Sequence, residues 1–185
     1  LTAMKMVWVP QGSFCMGSPP SEKEREEDEG PLHIVNISGF WMGQYPVTQA
    51  EWRKIMGSNP SIFKNGDNYP VEYVSWKDAY NFVKKLNQHH EKKYRFGLPT
   101  EAQWEYACRA GTTTPYYFGD NLSTGQANYN GNLPYKDGPL GIYRETTTSV
   151  GTFRANGFGI FDMHGNVWEW CHDRYEGQYS LGEVN

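Results

Sequence analysis

Apolar positions in this chain gather in short clusters broken by glycine and proline, so the pattern predicts many brief elements. Met6-Val-Trp-Val9 and Ser13-Phe-Cys-Met16 flank Pro10-Gln-Gly12, which predicts two strands joined as a hairpin. His33-Ile-Val-Asn-Ile37 alternates polar and apolar side chains, and Phe40-Trp-Met42 resumes after Gly39, predicting a second pair of strands. Residues 19–30 carry Glu22, Glu24, Glu26, Glu27, Asp28 and Glu29 against only Lys23 and Arg25, with no large apolar side chain. Such a stretch can neither pack nor pair its charge and is expected to be a solvated, mobile loop that adds little stability. It lacks the Asp, Asn and Gly spacing of a calcium loop.

Three helices are predicted next, each with similar chemistry at its start. Thr48-Gln-Ala-Glu51, Ser75-Trp-Lys-Asp78 and Thr100-Glu-Ala-Gln103 place a hydroxyl three residues before an acid or amide, so side chain and backbone can satisfy each other's free donors. Asp78 is the shortest of the three partners. The first helix has Trp52, Ile55 and Met56 on one face and a stop at Gly57; the second has a stripe of Trp76, Ala79, Tyr80, Val83 and Leu86. The third carries Trp104, Ala107 and Cys108 before Gly111, which puts Cys108 on a buried stripe as a structural thiol. Residues 112–161 show almost no periodicity and read as long ordered loops, where binding function often resides. Their aromatic residues either pin the loops to the core or line a ligand groove. Gly165-Asn-Val-Trp-Glu-Trp-Cys171 alternates and predicts a central strand.

Composition narrows the class. The chain has 185 residues, enough for one domain with a real core, while 20 Gly and 11 Pro keep its elements short, so the expectation is an irregular α+β fold. A net charge of −4 with no basic run argues against a nucleic-acid partner, and no stretch reaches the roughly 20 apolar residues of a membrane span. Three separated cysteines, Cys15, Cys108 and Cys171, do not make a disulfide framework, which points to a reducing, cytoplasmic setting. His33, His89, His90, His164 and His172 form no metal-ligand spacing.

Five blocks carry a resemblance: Met6-Val-Trp-Val-Pro-Gln-Gly-Ser-Phe-Cys-Met-Gly17, Phe40-Trp-Met-Gly-Gln-Tyr-Pro-Val-Thr48, Pro70-Val-Glu-Tyr-Val-Ser-Trp76, Leu98-Pro-Thr-Glu-Ala-Gln-Trp-Glu-Tyr-Ala107 and Gly165-Asn-Val-Trp-Glu-Trp170. Together, and in this order, they resemble the formylglycine-generating, sulfatase-modifying-factor family. The resemblance implies a C-type-lectin-like fold of short antiparallel strands, about three helices and long loops held by calcium, over a single domain 1–185. It implies oxygen-dependent oxidation of a substrate-protein cysteine to formylglycine, with copper(I) on two thiolates, a soft ligand pair suited to that ion. In the family those cysteines follow the Trp-rich block, and the three cysteines here match neither position, so no catalytic residue is assigned. The expectation is then a domain lacking its C-terminal part, completed by a downstream segment or a second chain. The alternative is an inactive lectin-like module for a protein or peptide ligand. For Ca2+, the resemblance implies the Asn166 amide oxygen, the Glu169 carboxylate and the carbonyls of Gly165 and Val167, oxygen ligands suited to a hard cation. It implies a second site beginning at Asn128 and Tyr129, whose acidic partner falls at Gly141 or Ile142 in this chain.

Overall fold

The computed structural model describes residues 4–90 and 94–175. Strand β1 (Met6–Val9) does not pair with β2 (Gly12–Met16); it pairs antiparallel with β4 (Phe40–Gly43), while β2 pairs with β3 (His33–Ile37). The opening hairpin expected between β1 and β2 is therefore replaced by one long ribbon. Met6 faces Gly43, Val9 faces Phe40, Gly12 faces Ile37 and Met16 faces His33, so the register passes the interruption without slipping. Pro10 has no N–H to donate to a ladder, which explains a break in pairing there without a change of direction. Gly39 sits in the opposing gap, where a Cβ would collide with the Trp8 ring. Trp8 and Trp41, directly opposed, meet edge to face at 5.5 Å on the outer surface.

The inner face of the ribbon builds the first core. Val9, Met16 and Ile37 pack on Ala102, Tyr106, Ala107 and Cys108 of α3 (Glu101–Arg109). A second core lies between α1 (Gln49–Met56) and α2 (Trp76–His89), where Trp52 and Phe82 stack in parallel at 5.0 Å beside Leu86. All three helices begin with the reciprocal capping predicted, including Ser75 with Asp78. The buried stripe of α2 differs from the expected one. Phe82 and Leu86 are buried, whereas Trp76 and Tyr80 stack on each other outside the core. The Trp76 indole is used elsewhere, donating to the Cys171 carbonyl at 2.9 Å.

Two further expectations are corrected. Residues 165–171 form no strand. Gly165 and Asn166 take positive φ of 71° and 65°, which breaks an extended path, and one parallel bridge from Asn128 to Gly165 is the pairing this segment makes. The acidic tip of the ribbon is also held more firmly than its composition suggests. It contains a 3₁₀ turn at Glu27–Glu29 whose Glu29 carboxylate accepts from the Glu26 amide at 3.0 Å, and the Ser18 amide donates to the Glu29 carbonyl at its base. Tyr135 donates to the Lys23 carbonyl at 2.8 Å and Tyr175 to the Asp28 carboxylate at 2.6 Å. Hydroxyls from distant loops therefore supply the anchorage that the stretch lacks in itself.

Residues 112–161 are loops throughout, and their buried polar groups are met by side-chain amides. Asn156, 7% exposed, donates to the Ala107 and Cys108 carbonyls and accepts from the Phe158 and Ile160 amides, tying the end of α3 to the loop that packs beneath it. Replacing Asn156 with Ala strands these groups and is expected to cost about 2–4 kcal/mol in urea unfolding. Asn156→Asp should be nearly as damaging, because a carboxylate cannot donate to either carbonyl.

Candidate functional site

The segment 160–171 passes beside α3 and carries two acids into protected surroundings. Asp162 lies in the apolar run Ile160-Phe-Asp-Met163, is 5% exposed and takes a positive φ of 58°. One of its oxygens accepts from the Gly151 amide at 2.7 Å, and the other, Oδ1, is buried without a hydrogen-bond partner. Burial raises its pKa above the ordinary carboxylate value. Glu169 accepts from the Trp104 indole N–H at 2.6 Å. Although the residue keeps some exposed surface, its carboxyl group is enclosed, and that desolvation pushes the pKa up to about 7, with the Asp162 charge adding to it. Two enclosed acids, one with an orphaned oxygen and the other disfavoured further by its neighbour's charge, are of the oxygen-donor type that hard cations take. Asp162 was missed in the sequence; its signal was an acid set between Phe161 and Met163.

The two expected sites touch where Asn128 meets Gly165 and Asn166. Asn166 donates its backbone N–H to the Asn128 carbonyl at 2.8 Å, and a Cβ on Gly165 would collide with that same carbonyl, so glycine is required for the approach. The Asn166 side-chain oxygen already accepts from the Thr148 amide at 2.9 Å, the Thr148 hydroxyl at 3.3 Å and the Asn128 amide at 3.2 Å. Asn128 also donates to the Thr146 carbonyl. These contacts make the two asparagines a clamp across three loops. Val167 turns back, its N–H donating to the Gly165 carbonyl. Tyr129 points its hydroxyl to the Leu122 carbonyl. Gly141 and Ile142 are bonded through their amides to the Gly131 carbonyl and the Thr124 hydroxyl, and neither brings a carboxylate.

The three cysteines are free thiols in different surroundings. Cys15 is exposed on β2, and burial pushes both the Cys108 and Cys171 thiols up to about 12, so both stay protonated near neutral pH. Cys108 Sγ donates to the Met163 carbonyl at 3.5 Å and lies 3.9 Å from each ring nitrogen of His164. His164 stacks on Tyr117 and accepts from its amide; burial and then Arg109 lower its pKa to about 4, which keeps it neutral. No group of three or more His, Cys, Asp or Glu side chains assembles among the described residues.

Beyond the acids, the chain turns large aromatic side chains outward. Trp168 is fully exposed and Trp170 half-exposed, its indole donating to the Val74 carbonyl beside the Trp76–Tyr80 stack.

The fold and site define an α+β domain built mainly from loops, with small antiparallel sheets, three capped helices and an enclosed carboxylate pair behind an aromatic surface. The sulfatase-modifying factor enzyme 1-like domain matches residues 1–184, and the chain belongs to that family. It is 36% identical to a formylglycine-generating enzyme of Streptomyces coelicolor, covering 94% of this chain and 70% of the relative. It is 31% identical to chaperone protein LppX of Paenibacillus barcinonensis, covering 74% of this chain and 63% of the relative. The structure of PvdO from Pseudomonas aeruginosa superposes with a TM-score of 0.77 at 33% identity, over 94% of this chain and 72% of that one.

The enclosed Glu169 gives a pH dependence whose sign is fixed. Its folded-state pKa of about 7 lies above the ordinary 4.5, so without a bound cation the folded protein holds a proton that the unfolded chain releases. This contribution to stability is complete below about pH 4.5 and is lost as the pH rises through 7, on the order of 3 kcal/mol. Denaturant titrations in chelator across this range should show the loss, and Glu169→Gln should flatten it.

Proposed function

We propose that this chain is a polypeptide-binding domain of the formylglycine-generating type, which presents its aromatic surface to an extended segment of a client protein and stiffens that surface with calcium. The observation that carries the proposal is the position of Trp168 and Trp170, exposed on the same short segment whose Glu169 is held inside. Large aromatic side chains on rigid backbone give contact area at little conformational cost, which suits an extended chain with few fixed side-chain requirements. Handling of a polypeptide is also common to a chaperone and to an enzyme that forms a modified residue.

Asp162, Glu169 and the carbonyls of Gly165 and Val167 would hold the calcium, leaving Asn166 to its clamp with Thr148 and Asn128. Calcium would supply the positive charge that offsets the two enclosed acids. Asp162 fixes the Gly151 amide, and Trp104 orients Glu169, so the protein has these groups in place on its own. Calcium at about 100 times its dissociation constant adds roughly 2.7 kcal/mol to the folded state, and chelation should lower the melting temperature by about 5–10 °C. Asp162→Asn should remove that response. Asn166→Ala should lower stability but leave the response in place. A melting temperature indifferent to chelation would remove calcium from the proposal.

A second reading is supported by the similarity to formylglycine-generating enzymes: oxidation of a client cysteine, with copper(I) on two thiolates. Cys108 is buried and Cys171 half-buried, and desolvation holds both thiols protonated, so the copper ligands would come from other residues of the gene product. Incubating the full gene product with copper, oxygen and a cysteine-containing peptide separates the readings by mass spectrometry. Conversion of the cysteine to formylglycine supports the enzyme; binding without conversion supports the module. Under either, Trp168→Ala should weaken peptide binding at least tenfold while changing stability by less than about 0.5 kcal/mol, as an exposed side chain does. Unchanged peptide affinity would refute the role of the aromatic surface.

A further inference from the structure

A cavity of about 540 Å³ lies between the acidic tip of the long ribbon and the loops that follow α3, well apart in sequence from the Trp-rich segment. Its walls include Tyr116, Tyr129, Tyr135, Leu122, Pro134 and Glu24. Two of the three tyrosines have their hydroxyls committed to backbone, Tyr129 to the Leu122 carbonyl at 2.9 Å and Tyr135 to the Lys23 carbonyl at 2.8 Å. Those bonds fix the rings. Tyr116 meets Tyr135 edge to face, with centroids 5.5 Å apart and planes at 82°, so the two rings form adjoining walls. The one charged side chain among the lining residues is a carboxylate, Glu24.

We infer that this cavity binds an organic cation, an alkylammonium or guanidinium group on a short apolar stem. The negative faces of several aromatic rings attract a cation within about 6 Å of their centroids, and a carboxylate at the rim supplies the full opposing charge. Leu122 and Pro134 offer apolar contact to the stem. The chain already uses one of these rings in this way, because the Lys136 ammonium stands 4.8 Å over the Tyr135 centroid, and Lys136 is not among the residues lining the cavity. The Tyr116 hydroxyl is held in its neutral form, its pKa pushed up to about 12 by burial first, with Glu24 and Glu22 among the negative groups that add to it. The phenol is therefore uncharged at neutral pH, and the full negative charge of the lining comes from Glu24. Hard metal ions are a poor match, because a lone carboxylate and aromatic faces do not supply six or more oxygen ligands. The inference does not depend on the polypeptide-binding proposal.

The test is a titration of the full chain, followed by tyrosine ring signals in NMR and by calorimetry, with tetramethylammonium and with N-acetyl-arginine amide. The neutral comparisons are tert-butanol and N-acetyl-norleucine amide. Both cations should outbind their neutral counterparts by about tenfold, and the signals of Tyr116 and Tyr135 should move together. The tighter of the two cations identifies the source, a free ammonium compound or a basic side chain. Glu24→Gln changes an exposed side chain and should leave the thermal transition in place while weakening the cations about tenfold. Tyr135→Leu should abolish binding, and Tyr135→Phe, which keeps the ring, should retain it. Equal affinity for cations and neutral counterparts, or affinity untouched by Glu24→Gln, would overturn the inference.

Discussion

A loop-built domain must satisfy its buried backbone without the help of long ladders, and here side-chain amides do so. Gln49, 2% exposed, donates to the Phe63 and Pro70 carbonyls and accepts from Asn59, fastening the start of α1 to two later loops. Asn156 joins α3 to the loop beneath it, and Asn128 with Asn166 joins three loops around residues 128, 147 and 166. An amide carries donors and an acceptor in one rigid plane, so a single side chain can replace a short piece of sheet. Each such residue is costly to bury unless all its partners are present. The aromatic surface, the carboxylate pair and the cavity are all positioned by loops that these amides hold.

The elements visible in the sequence are those governed by neighbours. Thr48, Ser75 and Thr100 each sit three residues from the group that completes their cap, and all three helices start where that spacing places them. Pairing of strands is different. Met6-Val-Trp-Val9 and its neighbour read as a hairpin because they are adjacent, yet each finds its partner further along, from Met16 with His33 to Met6 with Gly43. The outward turn of Trp76 and Tyr80 also follows from distant chain, since the carbonyl that takes the Trp76 N–H belongs to Cys171. At the Trp-rich segment the alternation of side chains was real, but the positive φ of Gly165 and Asn166 bends the backbone away from a strand.

The site was legible in part for a similar reason. Glu169 declared itself between two tryptophans, whereas the importance of Asp162 depends on an orphaned oxygen that can be known only once Gly151 has taken the other. Asn166 was recognisable as a polar residue at a special position, and its side-chain oxygen accepts from Thr148 and Asn128. The grouping of Tyr116, Tyr129 and Tyr135 with Glu24 joins two regions more than 90 residues apart, and no local pattern connects them.

The unbroken register of the long ribbon separates two kinds of change that a gene can undergo. A shift of one residue within β2 or β3 would turn Phe14, Met16, Val35 and Ile37 away from α3 and is therefore strongly resisted. Lengthening or shortening the tip between Met16 and His33 leaves every pair in place, because the connection lies outside the ladder. The tip also supplies one wall of the tyrosine cavity. Insertions and deletions in its exposed part, beyond the bonds that Gly17 and Ser18 make, therefore alter one wall of that cavity without moving the ladder.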